Sequence, residues 1–413
     1  MGGRGVVMRC RLCSLGVVVL WLGSAIGQGP PLAAPVPDAA LPFAVTTPPP
    51  AWLVPGTRLT FKTIAGTIPA SDHDFEVDPE GRWADAEGNR YRRIENAGTG
   101  SAGWLLANVL ALDHKQVGVQ LLFYLWNGLD PTSSTESMEL GYVTNAGCGG
   151  DLWLHPDALR RLQQEGVPGL VVRPMDYTLG RVTYHALWLF WPRQQGRSVW
   201  IYDRDSGVLL YTSDISKGGG RHTQHGVQLS EGATTLRCTT FEASRQIVVP
   251  WAKVPAPAVV KAARGFDYRG QLTVRPVAVD TPMPFRLDYD VVQRSGDWLL
   301  ARLRAPDLIP GMDLRVRSAH QLTGLWIPPE HCAQLQLGQV LDRDPIVGTT
   351  VSVGYVDADS VTLVQQGPRQ EFRFTYRKGD GLLARGQFTE QLPITPGAPV
   401  MSRVVNIELS NLR

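Results

Sequence analysis

"WIYDRDSGVLLY", residues 200–211, is an apolar run, a charged turn closing on Gly207 and a second apolar run. Asp205 and Ser206 can bond nearby backbone and Gly207 can take positive φ, so the stretch predicts a tight hairpin between two strands. A looser version, "FTYRKGDGLLAR", returns at 374–385. There Asp203 gives way to Arg377 and Asp205 to Gly379, with Lys378 beside them and Asp380 in the place of Ser206, while the tyrosine, the glycine and the apolar flanks stay. The shared requirement is therefore a turn and not a carboxylate chemistry.

Working outward from these hairpins, other stretches recur in the same order. Trp104 in "GSAGWLLA" matches Trp298 in "RSGDWLLA", and Trp153 in "DLWLHPDAL" matches Trp326 in "GLWIPPEHC". Tyr202 matches Tyr376, and Glu242 in "FEASR" matches Glu408 in "IELSN". The first copy runs longer between its first two anchors, which reads as a polar, turn-rich insertion in a surface loop around "WNGLDPTSSTESMELGYVTNAGCGG". Along the rest of the chain lie strand-length runs rich in β-branched and aromatic residues, such as "TRLTFKTI" and "EFRFTY". "HPDALRRLQQEG" carries Pro156 and Asp157 for a first helical turn, Leu159 and Leu162 three apart, and Gly166 as a stop. "PPEHCAQLQLG" repeats that arrangement with Pro329 and Glu330.

The expected fold is mainly β: two tandem antiparallel β-rich repeats with curved sheets, each with one short helix, at 51–250 and 258–413. "VPWAKVPAPA", with three prolines, marks the junction. A chain of 413 residues is long for one core, and 43% apolar against 19% charged residues supplies material for two. Lysine plus arginine is 40 against 38 acids, which gives no electrostatic reason to expect nucleic acid or an anionic membrane as partner.

The start combines Arg4, Arg9 and Arg11 with an apolar stretch from Leu12 to Ile26, followed by small residues. That is the pattern of a signal peptide over 1–27 with cleavage before Gln28, and the stretch is short for a span of roughly 20 residues. A Pro/Ala-rich linker follows at 28–50. These features imply a secreted or periplasmic protein with no transmembrane span in the mature chain. Cys10 and Cys13 fall within the signal peptide, which leaves Cys148, Cys238 and Cys332. In an oxidising compartment Cys148 and Cys238, in the same half, are the disulfide candidate; three buried thiols are the other reading.

Three stretches could carry chemistry. Asp72, Asp74, Glu76 and Asp78 alternate in "SDHDFEVDPEGRWADAEGNRY" and on a strand would share a face able to hold calcium, but the flanking turns favour a solvated hairpin. His222 and His225 in "KGGGRHTQHG" have a zinc-compatible spacing without further ligands in sequence. In "RVTYHALWLFW" period-two alternation puts Tyr184, Ala186, Trp188 and Phe190 on one face and His185, Leu187, Leu189 and Trp191 on the other. Both faces need cover: a neighbouring element, or an apolar ligand touching Trp188, Trp191 and Trp200. No nucleophile motif, phosphate-binding glycine loop or cofactor motif is present in the sequence.

The "YDRDSGVLL" hairpin in an exported β-rich chain resembles LolA-like half-barrel envelope proteins, the lipid or lipoprotein carrier class, here in tandem duplicated form. The resemblance implies an acyl-chain site inside a curved sheet and transfers no individual residue. The expectation is a non-enzymatic protein without cofactor that binds an apolar small molecule or an envelope protein. The alternatives are a structural or adhesive surface module and a metal-dependent hydrolase.

Overall fold

The computed structural model describes residues 48–69, 75–77, 83–85, 90–91, 101–113, 115–125, 135–149, 151–193, 196–217, 220–223, 226–229, 233–275, 282–391 and 402–413. Residues 1–27, expected from sequence to be a signal peptide, nearly all of the expected linker at 28–50, and Asp72, Asp74, Asp78 and His225 lie outside them. The chain divides into two compact units. One holds the first half up to Val248 together with the Pro345–Gly348 turn, and the other holds the rest from Val249.

The first unit is built on a nine-stranded antiparallel sheet. Its strands are β1 (Thr57–Pro69), β5 (Ser101–Leu112), β6 (Gln116–Leu125), β7 (Thr135–Asn145), β8 (Val171–Leu179), β9 (Val182–Arg193), β10 (Gly196–Asp203), β11 (Leu209–Lys217) and β14 (Ala233–Gln246). The spatial order is β7-β6-β5-β1-β14-β11-β10-β9-β8, so two meanders meet where the first strand pairs with the last. Short β2 (Phe75–Val77), β3 (Trp83–Asp85) and β4 (Arg90–Tyr91) form a separate small sheet, and β12 (Gly220–Thr223) with β13 (Gly226–Leu229) forms a hairpin.

The second unit repeats this order and adds one edge strand. Its ten strands are β15 (Gly265–Arg275), β16 (Met283–Ser295), β17 (Trp298–Ala305), β18 (Ile309–Ser318), β19 (Val340–Asp344), β20 (Thr349–Val356), β21 (Ser360–Gln366), β22 (Gln370–Arg377), β23 (Leu383–Gln391) and β24 (Ser402–Leu412). They run β18-β17-β16-β15-β24-β23-β22-β21-β20-β19. The mainly β, tandem antiparallel architecture read from the sequence is thus present.

Three short helices occur among the described residues. Helix α1 (Pro156–Glu165) starts where the His155 ring accepts the Asp157 N–H at 3.0 Å and stops at Gly166, with Ala158, Leu159 and Leu162 buried. Its counterpart α3 (Pro329–Cys332) is a single turn, and α2 (Ala258–Ala262) stands at the junction. That junction is not a bare tether, because Trp251 within it is fully buried.

The two hairpins hold each unit together in the same way. Leu154 donates its N–H to the Gly207 carbonyl at 2.9 Å, and Leu209 donates to Leu152 at 3.0 Å. In the second unit Ile327 donates to Gly381 at 2.9 Å and Leu383 to Leu325 at 2.9 Å. Tyr202 donates its hydroxyl to the Asp151 carbonyl at 3.1 Å, and Tyr376 does the same to Gly324 at 2.9 Å. The segment that begins at Trp153 or Trp326 therefore threads over the turn, and the indole it carries fills the core. Around Trp153 the main cluster gathers Phe61, Leu105, Leu121, Leu187, Leu189 and Trp200.

Two of the four sequence anchors shift. Trp104 sits on β5, which pairs with β1, whereas Trp298 sits on β17, one strand further from the central pair. A glycine shortly before Trp-Leu-Leu-Ala fits any strand of a meander, so the match joined non-equivalent strands. The supposed surface insertion contains β7, paired along its length with β6. Glu242 is the extra residue of the bulge between β1 and β14, and the corresponding bulge residue in the second unit is Ser410, not Glu408.

Cys148, Cys238 and Cys332 are all buried thiols, so the Cys148–Cys238 disulfide is not formed. The reason is the sheet between them. Cys148 belongs to the main core, whereas Cys238 lies on the other face, hydrogen-bonded to Tyr211 and Thr240. Burial pushes the Cys238 thiol up to about 11 and the Cys332 thiol up to about 12, which keeps both protonated near neutral pH. Maleimide labelling should leave these three thiols untouched in the folded chain and modify all of them in denaturant. Rapid labelling of Cys238 without denaturant would show that its face opens.

Candidate functional site

Directly paired residues of neighbouring antiparallel strands share a face, so register identifies what each sheet presents opposite its main core. In the first unit one such row runs Arg173, Trp188, Ile201, Tyr211, Thr240 and Lys62 across β8, β9, β10, β11, β14 and β1. Buried Ala186, Ile201 and Leu210 form the floor there, with Tyr177, Leu179, Tyr184, Trp188, Val199 and Phe241 half-buried around them. Trp188 stacks on Phe190 with ring centres 5.3 Å apart and planes 5° apart, and the Arg173 guanidinium lies 5.8 Å from the Trp188 ring. Burial raises the Tyr177 hydroxyl to about 12 and the Tyr211 hydroxyl further, so both rings stay neutral. Further along the same face Trp104, Leu106, Leu122 and Tyr124 are covered by Ile346 and Val347 of the Pro345–Gly348 turn.

The structure separates the three tryptophans. Trp188 lies on this half-open aromatic face. Trp191 packs, partly buried, against the main cluster, and Trp200 is inside it with 1% of its surface exposed. His222 falls on β12 opposite Val227, and Glu76 falls on β2 opposite Ala84. Among the described residues no group of three or more His, Cys, Asp or Glu side chains comes together.

The second unit shows what sequence reading missed. Its equivalent row begins from the identical bulge: Ile201 opposite Tyr211 becomes Thr375 opposite Arg385. It runs Tyr355, Thr362, Thr375, Arg385, Glu408 and Arg269. The adjacent row is Arg373, Gln387, Asn406 and Gln271. Both rows line one cavity of about 1080 Å³ together with Arg286 and Asp307. Seven strands contribute to it, so this face is concave. The glycines behind it serve the core: a Cβ on Gly270 would lie 2.1 Å from the Phe285 ring. The same face of one repeated topology is thus aromatic in the first unit and rich in arginine and amides in the second.

No family model matches the chain and no curated protein matches it. Among solved structures it is similar to a protein of unknown function from the DUF3598 family of Nostoc punctiforme, at 12% identity over 87% of this chain and 97% of that one, with a TM-score of 0.19. It is also similar to isotype 1 transferrin binding protein B from serogroup B Neisseria meningitidis, at 9% identity over 86% of this chain and 77% of that one, with a TM-score of 0.12. At those TM-scores neither likeness carries an argument. The class the fold itself defines is a tandem pair of antiparallel β-sheet units. Among the described residues no helix is long and apolar enough to cross a membrane.

Proposed function

We propose that this is an exported, non-enzymatic binding protein whose first unit holds an acyl chain against the aromatic face of β8–β11. The observation that carries the reading is the stacked, half-buried Trp188 and Phe190 beside a buried apolar floor, opposite the face that already packs the main core. Apolar surface of this kind, left over after a core is complete, is how ligand grooves are built. Arg173, beside Trp188 at the end of the row, supplies a cation for the carboxylate of a fatty acid.

The test compares two tryptophans. Trp188→Ala should lower stability by only about 1 kcal/mol, because the ring is half-buried, while weakening a fluorescent long-chain fatty acid about tenfold or more. Trp200→Ala removes a ring from the packed core and should cost about 3 to 5 kcal/mol of stability. Equal stability losses with no change in fatty-acid binding would mean that Trp188 is packing and not a ligand contact.

A further inference from the structure

We infer that the cavity of the second unit is a binding site for an acidic saccharide, a chain of sugars carrying repeated carboxylates. This does not rest on the acyl-chain reading, because it concerns other residues in the other unit. Four arginines line the cavity against two acids, Asp307 and Glu408. The way they are held matters more than their number. Arg385 donates through Nε to Glu408 at 3.2 Å, and Arg373 through Nε to Glu371 at 2.6 Å. Arg286 has its Nε 3.6 Å from Asp307. In all three the inner nitrogen meets the protein carboxylate, which positions the guanidinium and leaves the outer amino groups to face a ligand. Arg269, exposed between Glu408 and Arg286 in the row, has no ion pair among the described residues. Planar guanidiniums with outward N–H pairs suit carboxylates in two-point contacts.

The remaining lining selects among anions. Gln271, Gln387, Asn406, Thr362 and Thr375 offer amides and hydroxyls, which match sugar hydroxyls. Tyr355, 57% exposed at one end, offers a ring face for the apolar side of a sugar. Arg269 and Arg286 face each other across β15 and β16, whereas Arg385 and Arg373 stand on β23 and β22, beyond β24. Neighbouring strands stand about 4.8 Å apart, so the charges they meet must be repeated along a chain. A single phosphate on the paired Arg269 and Arg286 would leave Arg373 and Arg385 idle.

The same topological face in the first unit bears Trp188, Ile201 and Tyr211 in place of Thr362, Thr375 and Arg385. The polar lining is therefore no requirement of the sheet.

Calorimetric titration of the intact chain at fixed ionic strength tests this with a short oligogalacturonide, its methyl-esterified form and sodium sulfate. The acid form should bind saturably, the ester about tenfold more weakly or not at all, and sulfate at equal concentration should not displace the acid form. Arg269→Gln and Arg385→Gln should each weaken the acid form about tenfold with the melting temperature unchanged, since both side chains are exposed, and Trp188→Ala should leave binding intact. Absence of binding, equal binding of acid and ester, displacement by sulfate, or indifference to both arginine variants would each overturn the inference.

Discussion

Replacing Gly207 with alanine should destabilise the first unit by about 3 kcal/mol or more, and Gly381→Ala should do the same to the second. Two effects add at each position. Gly207 has φ of 80° and Gly381 of 74°, a region L side chains resist. A Cβ would also lie 1.9 Å from the Leu154 carbonyl oxygen at Gly207 and 2.0 Å from the Ile327 carbonyl oxygen at Gly381. The obstacle is backbone, held by the hydrogen bond through which Leu154 or Ile327 donates back to the glycine carbonyl. Relief of the clash therefore breaks the crossing that places Trp153 or Trp326. Gly166→Ala is the control: its φ is 68° and its ψ 173°, but nothing among the described residues lies within 4 Å, so only the conformational cost of about 1 to 3 kcal/mol remains. Denaturant unfolding of each variant checks this, and equal costs at Gly207 and Gly166 would mean that the crossing contributes nothing.

Trp153→Ala should be at least as severe, about 3 to 5 kcal/mol by the usual cost of emptying an aromatic site in a core. Trp153 is fully buried, donates its indole N–H to the Ala146 carbonyl at 3.0 Å and meets Trp52 edge-on with ring centres 5.8 Å apart. Its removal leaves a cavity and an orphaned carbonyl together. Trp326 is equally buried, but its indole nitrogen has no hydrogen-bond partner among the described residues. Trp326→Ala thus loses packing without a hydrogen bond and should cost about 1 kcal/mol less than Trp153→Ala. Unfolding followed by tryptophan fluorescence would show the order, and a larger loss at Trp326 would contradict it.

Much of this frame was legible in the sequence for local reasons. Hairpin chemistry around Gly207 and Gly381, the proline start and glycine stop of α1, and alternation in β9 are all decided within a few residues. Trp153 and Trp326 held as anchors because each precedes a helix start, a combination with few alternatives. Trp104 and Trp298 failed because Trp-Leu-Leu-Ala suits a strand wherever it sits in a meander. The disulfide failed because two residues in one half of a chain can still stand on opposite faces of one sheet.

The arginine cavity had no local signal at all. Arg269, Arg286, Arg373 and Arg385 are scattered along the chain and form no run. Only the pairing of β15 with β24, and of β24 with β23, brings them to one concave face.

The most direct measurement of whether the aromatic face is a ligand seat is a titration of the intact chain with a fluorescent long-chain fatty acid, beside Trp188→Ala and Arg269→Gln. Saturable binding to the unaltered chain and to Arg269→Gln, weakened about tenfold or more in Trp188→Ala, is the expected result. No saturable binding to the unaltered chain, or undiminished binding to a folded Trp188→Ala, would contradict it.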